Sequence, residues 1–533
     1  MTQDGPSSSF WTPISKPLFR NLWLASLFSN IGTWLQNVAA AWLMTSLAPS
    51  PIWVALVQTA STLPVFLLSV PAGALADLVD RRRFLLITQT WMLLAAMILS
   101  AITFGGWIGP GWLLGLTFAL GIGAALNGPA WQAIVPELVS RDEINAAVVL
   151  NSIGFNLARA VGPALSGLLL AVANAGSAFF LNAVSFAGVL WVLYQWKRES
   201  AAAGFGATKE MMFGAMRAAF RYTFHAPLLQ SILVRVVAFV IGASALWALL
   251  PLLAKQELAS GALGYGILLG CLGTGSVLCA AMIPRIRTLI STDRQVVIST
   301  ILFGTASLII PVLHYFPLVC VCMIGAGAGW MGAMSSFNTS VQTVVPDWVR
   351  ARALGIYLLV FQGCMAAGGG IWGAVGERWG VKVAIGSAGV TMLAGLITAI
   401  RFRLMETRHL DLTPAAQYSE PHITLDLEPG EGPVLVMVEY RVKLAEMEKF
   451  AKVMMGMRRV RRRDGAVRWR LFRDPTDPGR CAEIYVVESW AEHLRQTDRE
   501  TVADREIRES ALRFHQGPDR PAVTHWISIK TSW

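Results

Sequence analysis

Apolar runs recur along the first 400 residues, each close to the roughly 20 residues a helix needs to cross about 30 Å of hydrocarbon. They predict helical spans near 21–46, 52–76, 84–105, 111–131, 146–172 and 177–196, then near 228–254, 264–283, 295–313, 317–339, 354–376 and 381–401. Charged and turn-forming residues gather in the breaks, and the longest break, 197–227, divides the spans six and six. After residue 433 the pattern changes. Short alternating runs predict strands over 433–442, 467–473, 480–489 and 522–529, with helices over 444–462 and 490–515. That order, βαββαβ, is the order of a ferredoxin-like module. The expected organisation is a flexible N-terminus (1–20), a six-helix half (21–196), a central loop (197–227), a second six-helix half (228–405), a linker (406–432) and a ferredoxin-like domain (433–533). The fold class expected is an all-α polytopic membrane protein of twelve transmembrane helices with a small α+β tail.

Composition agrees. Of 533 residues 54% are hydrophobic and only 14% charged, against about 25% charged in soluble domains. Mean hydropathy is +0.53. The net charge of +11 comes from arginines and lysines in alternate loops and in the tail, as cytoplasmic anchoring requires. No aromatic-and-basic platform for nucleic acid accompanies them, so no nucleic-acid partner is expected. The orientation implied puts both termini in the cytoplasm, with the lipid bilayer and a small molecule as the principal partners. Five of the six cysteines lie in apolar runs and none has metal-ligand spacing; no metal or cofactor is expected.

The segment Gly73-Ala-Leu-Ala-Asp77-Leu-Val-Asp80-Arg81-Arg82-Arg83 lies between the second and third spans. Three consecutive arginines there mark a loop at a membrane surface. Gln132-Ala-Ile-Val-Pro136-Glu137-Leu-Val139 recurs as Gln342-Thr-Val-Val-Pro346-Asp347-Trp-Val349 after the tenth span, the equivalent place in the second half. Two related halves around a central cavity is the architecture of secondary transporters.

The first of these segments resembles the loop between helices two and three of the major facilitator superfamily. Gly73, Asp77, Arg81 and Arg82 match its pattern, and Leu78 and Asp80 depart from it. The resemblance implies a gate in which this cluster latches the cytoplasmic ends of the halves, with Gly73 allowing close helix approach. Pro129 to Gly167, including Asn151-Ser-Ile-Gly-Phe-Asn156, is similar to the enterobactin-exporter and transmembrane-secretion-effector branch. Gly162-Pro163 and Gly167 resemble part of the fifth-helix antiporter motif. Those resemblances imply efflux across a bacterial inner membrane, coupled to protons. The spans themselves contain no Asp or Glu, which leaves Asp77 as the carboxylate closest to a coupling role.

Arg159 and Arg235 fall inside the fifth and seventh spans. A cation there needs a watery cavity, a carboxylate or carbonyl partner, or an anionic substrate. Arg159 is the better substrate candidate, and Arg235 also has the reach to snorkel to the surface. Gln36, Asn37, Asn151 and Asn156 are further cavity candidates, and Gln36 and Asn37 equally suit interhelical hydrogen bonding. The tail resembles the dimeric α/β-barrel proteins related to antibiotic-biosynthesis monooxygenases, on Glu488-Ser-Trp490-Ala-Glu-His493; this implies a candidate homodimer through the tail. The function expected is alternating-access export of a small metabolite, anionic, siderophore- or drug-like. The alternative is a membrane-tethered enzyme or sensor whose tail carries the activity.

Overall fold

Prolines and polar caps fix where the helices begin. Pro17, Pro51 and Pro110 occupy the first helical positions of α1 (Pro17–Leu47), α2 (Pro51–Leu78) and α4 (Pro110–Leu138), where the missing N–H has no intrahelical role. Asp80 caps α3 (Arg81–Phe104) by accepting from the Arg83 N–H, and Asn174 caps α6 (Ala175–Gln195) by accepting from Ser177. Between them lies α5 (Ile144–Val172). The second set comprises α7 (Pro227–Leu252), α8 (Ala262–Leu289), α9 (Thr292–Ile309), α10 (Phe316–Val344), α11 (Asp347–Trp379) and α12 (Val381–Ala394, continuing after Gly395 as Ile397–Arg401).

This computed structural model describes residues 11–196, 217, 218, 220–404, 411–413, 415, 427–517 and 519–529, without the side chains of Val70, Ala74, Ala76, Asp77, Leu78, Asn145, Thr497 and Asp498. Most of the central loop and most of the 406–432 linker lie outside the described residues.

Eleven of the helices are long and apolar enough to cross a bilayer. The exception is α1. At 31 residues it is ample in length, but Asn21, Asn30, Thr33, Gln36 and Asn37 dilute its apolar surface. The protein is thus a multi-pass membrane protein with a small sheet at its C-terminal end.

Chain contacts divide the protein into two units. The first comprises residues 1–203, 233–338 and 357–403, and holds most of the helices. In its N-terminal half, Phe84, Leu85, Ile134, Val189 and Leu193 form a buried cluster joining α3, α4 and α6. In its C-terminal half, glycines permit contact at backbone distance. A Cβ on Gly275 of α8 would fall 1.9 Å from the Ile324 carbonyl oxygen of α10, and one on Gly327 of α10 would fall 1.9 Å from that of Leu272.

The second unit comprises 204–232, 339–356 and 404–533. Its sheet has the antiparallel order β2-β3-β1-β4, with β1 Val434–Arg441, β2 Ala466–Arg473, β3 Arg480–Val487 and β4 Ala522–Ile527. Packed with it are α13 (Met447–Asp464), α14 (Trp490–Arg499) and α15 (Val502–Leu512). Val434, Val436, Tyr440, Phe450, Met454, Tyr485 and Trp490 make its core. The single helix expected over 490–515 is two, because Thr501 and Asp504 form a capping box that restarts the chain.

Candidate functional site

Within the first unit the two halves meet along two seams. In one, α5 crosses α8: Gly167 and Gly266 are so close that a Cβ on either would stand within 2.6 Å of the other's Cα. Gly162 abuts Trp34, and the Pro163 carbonyl faces Gly266. Of the antiporter-like glycines, Gly167 therefore serves a backbone-to-backbone contact between the halves, and Gly162 packs α5 against Trp34 of α1 within the N-terminal half. In the other seam α2 crosses α11, where Gly369, Gly373 and Gly376 admit Thr59, Ala55 and Pro51. Two charges fasten the helix ends there. Glu377 accepts from Ser50 Oγ at 2.5 Å and lies 3.5 Å from the Ile52 N–H at the N-terminus of α2. Lys255 donates to the Thr45 carbonyl at 3.1 Å and to Ser46 Oγ at 2.7 Å at the C-terminus of α1. Each has the sign that complements its helix dipole.

Above this closed end is a cavity of about 340 Å³ between the halves. Its walls include Trp34, Tyr265, Trp247, Trp330 and Phe361, and its polar lining is Asn37, Gln58, Ser61, Thr62, Gln362 and Arg159. The Arg159 guanidinium lies 6.0 Å from the ring centre of Trp247 and 5.7 Å from that of Trp330. Among the described residues it has no carboxylate or carbonyl partner. Indole faces attract a cation by about 0.5–2 kcal/mol, which falls well short of the cost of desolvating it. The site is therefore electrostatically incomplete toward an anion.

A second cavity, about 550 Å³, lies toward the arginine-bearing end. Asn151 and Asn156 line it, with Ser26, Asn30, Gln89, Asn127 and Gln132. Among the described residues no charged side chain lines it. Residues of α1 and α5 border both cavities.

The remaining candidates fall elsewhere. Arg235 does not line either cavity: it is buried and pairs with Asp293 at 2.8 Å. Gln36 is buried in a hydrogen bond with Asn182 of α6 and is helix-to-helix glue. Arg81 donates to Glu137 at 2.8 Å and to the Ala133 carbonyl at 3.2 Å; Arg82 caps the last turn of α6 through the Leu193 and Tyr194 carbonyls. With Asp80 on α3, these residues tie N-terminal-half helices to one another. Among the described residues nothing stands within 4 Å of a would-be Cβ on Gly73. The Asp77 side chain lies outside the described residues.

A family model described as transmembrane secretion effector matches residues 8–533. The chain belongs to that family. Transmembrane secretion effectors are major facilitator proteins, and this one is a transporter of small metabolites rather than an enzyme. Similar relatives include the staphyloferrin A transporter of Staphylococcus aureus, 24% identical over 71% of this chain and 96% of its own length. The enterobactin exporter EntS of Escherichia coli is 26% identical over 75% and 94%. A solved peptide-type (POT family) transporter superposes with a TM-score of 0.60 at 13% identity, covering 72% of this chain and 95% of that one. A bacterial homologue of the lysosomal transporter Spinster, solved inward-facing and unoccupied, superposes at 0.52 and 14%, covering 74% and 96%. The secretion-effector assignment and the major facilitator fold confirm the main expectation from the sequence. They do not favour the tail as the seat of an enzymatic activity.

The tail's His493 lies on α14. It is buried, its Nδ1 is unpartnered, and it packs 4.8 Å from the ring of His525 and 5.3 Å from that of Trp490. Burial, then the nearby His525 and Arg461, push its pKa down to about 4. Sequence reasoning missed the tryptophan pair, Gln58, Gln362, Lys255 and Glu377 as a set, because they converge only once the halves are packed. Trp247 and Trp330 inside apolar spans were the available signal.

Proposed function

We propose that this transporter exports a small organic anion, bound in the cavity between the halves with its acidic group on Arg159. The observation that carries this reading is the unpaired guanidinium between Trp247 and Trp330. Indole and phenyl walls suit an apolar or conjugated body, and Asn37, Gln58 and Gln362 suit carbonyl or hydroxyl groups. The relative named enterobactin exporter supports the direction, and the anionic character follows from the site.

The charge bias of the loops supports placing the arginine-bearing end in the cytoplasm and the chain in a bacterial inner membrane. In that orientation the described conformer faces inward, with the seams closing the outer side and the uncharged polar vestibule leading from the cytoplasm to Arg159. Arg81, Arg82 and Asp77 then form the inner latch of the outward-facing state. Proton antiport runs through Asp77, the carboxylate that matches a family motif beside spans that hold no Asp or Glu.

The tail assembles as a homodimer across the uncovered face of its sheet. Leu435 pairs with Trp526 and Val486, and Met437 with Ile484, on the face away from the core. Trp526 is 62% exposed. Comparing secreted and intracellular metabolites between a deletion strain and its parent identifies the cargo. Restoration of secretion by the wild-type gene but not by Arg159→Ala supports the reading; full restoration by that variant refutes it.

A further inference from the structure

The arginine run at the end of α13 divides into two groups with different commitments. Arg461 bonds Glu483 at 3.3 Å, and Arg463 bonds Asp464 and Asp504 at 2.8 and 2.6 Å. These charges are internally neutralised. Arg458, Arg459 and Arg462 make no ion pair among the described residues, and together with Met455 and His225 they line a separate cavity of about 350 Å³. Among the described residues no acidic side chain lines it. Arg462 Nε is buried there without a partner. His225 Nδ1 lies 2.9 Å from the Arg221 carbonyl, an acceptor, so Nδ1 carries the hydrogen and Nε2 is left for a ligand.

The position of this cavity in the chain narrows the ligand. His225 stands two residues before Pro227, where α7, a span-length apolar helix, begins. The helical residues 220–225 are held against the tail within the same unit by Arg221–Glu492 at 2.5 Å, and Arg217 adds a bond to Glu488 at 2.8 Å. The cationic cavity is therefore fixed within one helical turn of a point where the chain enters the bilayer. Phe224 beside it is 72% exposed, and Met455 on its lining is 42% exposed. Exposed apolar side chains next to convergent arginines are the composition of an interfacial lipid contact.

We propose that Arg458, Arg459, Arg462 and His225 form a binding site for the phosphate of an anionic phospholipid headgroup, with Phe224 and Met455 against its acyl region. Arginine forks match phosphate oxygens bidentately. The site joins the tail to lipid at the connection between the two transport halves. It rests on the membrane reading alone and not on the identity of the cargo.

The test uses the full-length protein in detergent and a short-chain phosphatidylglycerol, with short-chain phosphatidylcholine, inorganic phosphate and a single-stranded oligonucleotide as separate arms. Wild type is expected to bind phosphatidylglycerol at least tenfold more tightly than phosphatidylcholine. The triple variant Arg458→Gln/Arg459→Gln/Arg462→Gln is expected to lose that preference, and Arg459→Gln alone to weaken it two- to fivefold. Unchanged hydrogen exchange in β1 certifies that the variants remain folded. Equal binding of both lipids by wild type, or an undiminished preference in the folded triple variant, overturns the site. Displacement of the lipid by millimolar phosphate reassigns it to a free phosphate, and tighter binding of the oligonucleotide reassigns it to nucleic acid; either result overturns the proposal.

Discussion

Lys255 gives the clearest handle on the closed end. Its ammonium reaches from just beyond α7 to the last turn of α1, donating to the Thr45 carbonyl at 3.1 Å, Thr45 Oγ1 at 3.2 Å and Ser46 Oγ at 2.7 Å, and it lies 5.7 Å from the Trp42 ring centre. Lys255→Met keeps the stem and removes these polar contacts. Loss of the charge at a helix C-terminus costs about 0.3–1 kcal/mol, and loss of the exposed cation–π contact about 0.5–1 kcal/mol. The sum, about 1–2 kcal/mol, acts only on the conformer in which the halves touch. It shifts the closed-to-open equilibrium by about 5- to 30-fold. Spin labels at Trp107 and Tyr315, 79% and 65% exposed in the α3–α4 and α9–α10 breaks, report the separation of the halves by pulsed electron resonance once the six cysteines are replaced. A longer-distance population is expected to grow in Lys255→Met and in Glu377→Gln. Distance distributions identical to wild type in both would refute the idea that these two charges hold the end closed.

Further outcomes follow from other contacts. Gly327→Ala places a methyl group against the Leu272 carbonyl; it is expected to cost about 1–3 kcal/mol, read as a lower Tm of the detergent-solubilised protein, whereas Gly355→Ala, with nothing within 4 Å among the described residues, does not lower Tm, since alanine favours a helix interior. Glu492 accepts from Arg499 at 2.7 Å and from Arg221 at 2.5 Å; although burial opposes it, these guanidiniums hold its carboxyl below the usual range. Glu492→Ala leaves both partners uncompensated, at about 3–5 kcal/mol if fully buried and less here, and is expected to speed hydrogen exchange over 220–225 at least tenfold. The folded pKa of His493, about 4, is below its unfolded value of 6.5. The unfolded tail then binds the extra proton first, so this contribution is complete above pH 6.5 and lost as pH falls toward 4. Exchange in β1, corrected for intrinsic rate, is expected to rise from pH 7 to 5 in wild type and to rise less in His493→Gln.

The helical spans were legible because lipid leaves a chain few options: every backbone group must be satisfied internally, so a long apolar run is a helix. The tail's strands were legible from their alternation, and β1 shows the corresponding alternation of burial. The break between α14 and α15 was not, because the cap at Thr501 is a local event inside an otherwise helical pattern. Arg159 was found because a charge in a span is anomalous by itself. Arg235 raised the same alarm for another reason: its partner Asp293 sits 58 residues away, beyond any pattern of spacing. Gly73 suggested close packing from its residue type, but a glycine's partner belongs to the tertiary structure and to the conformer. Lys255 and Glu377 were invisible as a pair of caps because their targets are backbone and hydroxyl groups on the opposite half.

The central claim is that Arg159 selects an anion. Its most direct test is the initial rate of transport into inverted membrane vesicles of the identified metabolite and of its neutral methyl ester, by wild type, Arg159→Lys and Arg159→Ala. A charged hydrogen-bonding contact of about 1.5–3 kcal/mol predicts that wild type favours the anion by about 10- to 100-fold, that the lysine variant keeps part of this preference, and that the alanine variant transports both forms at similar low rates. Equal wild-type rates for anion and ester, or an undiminished preference in Arg159→Ala, would contradict the account.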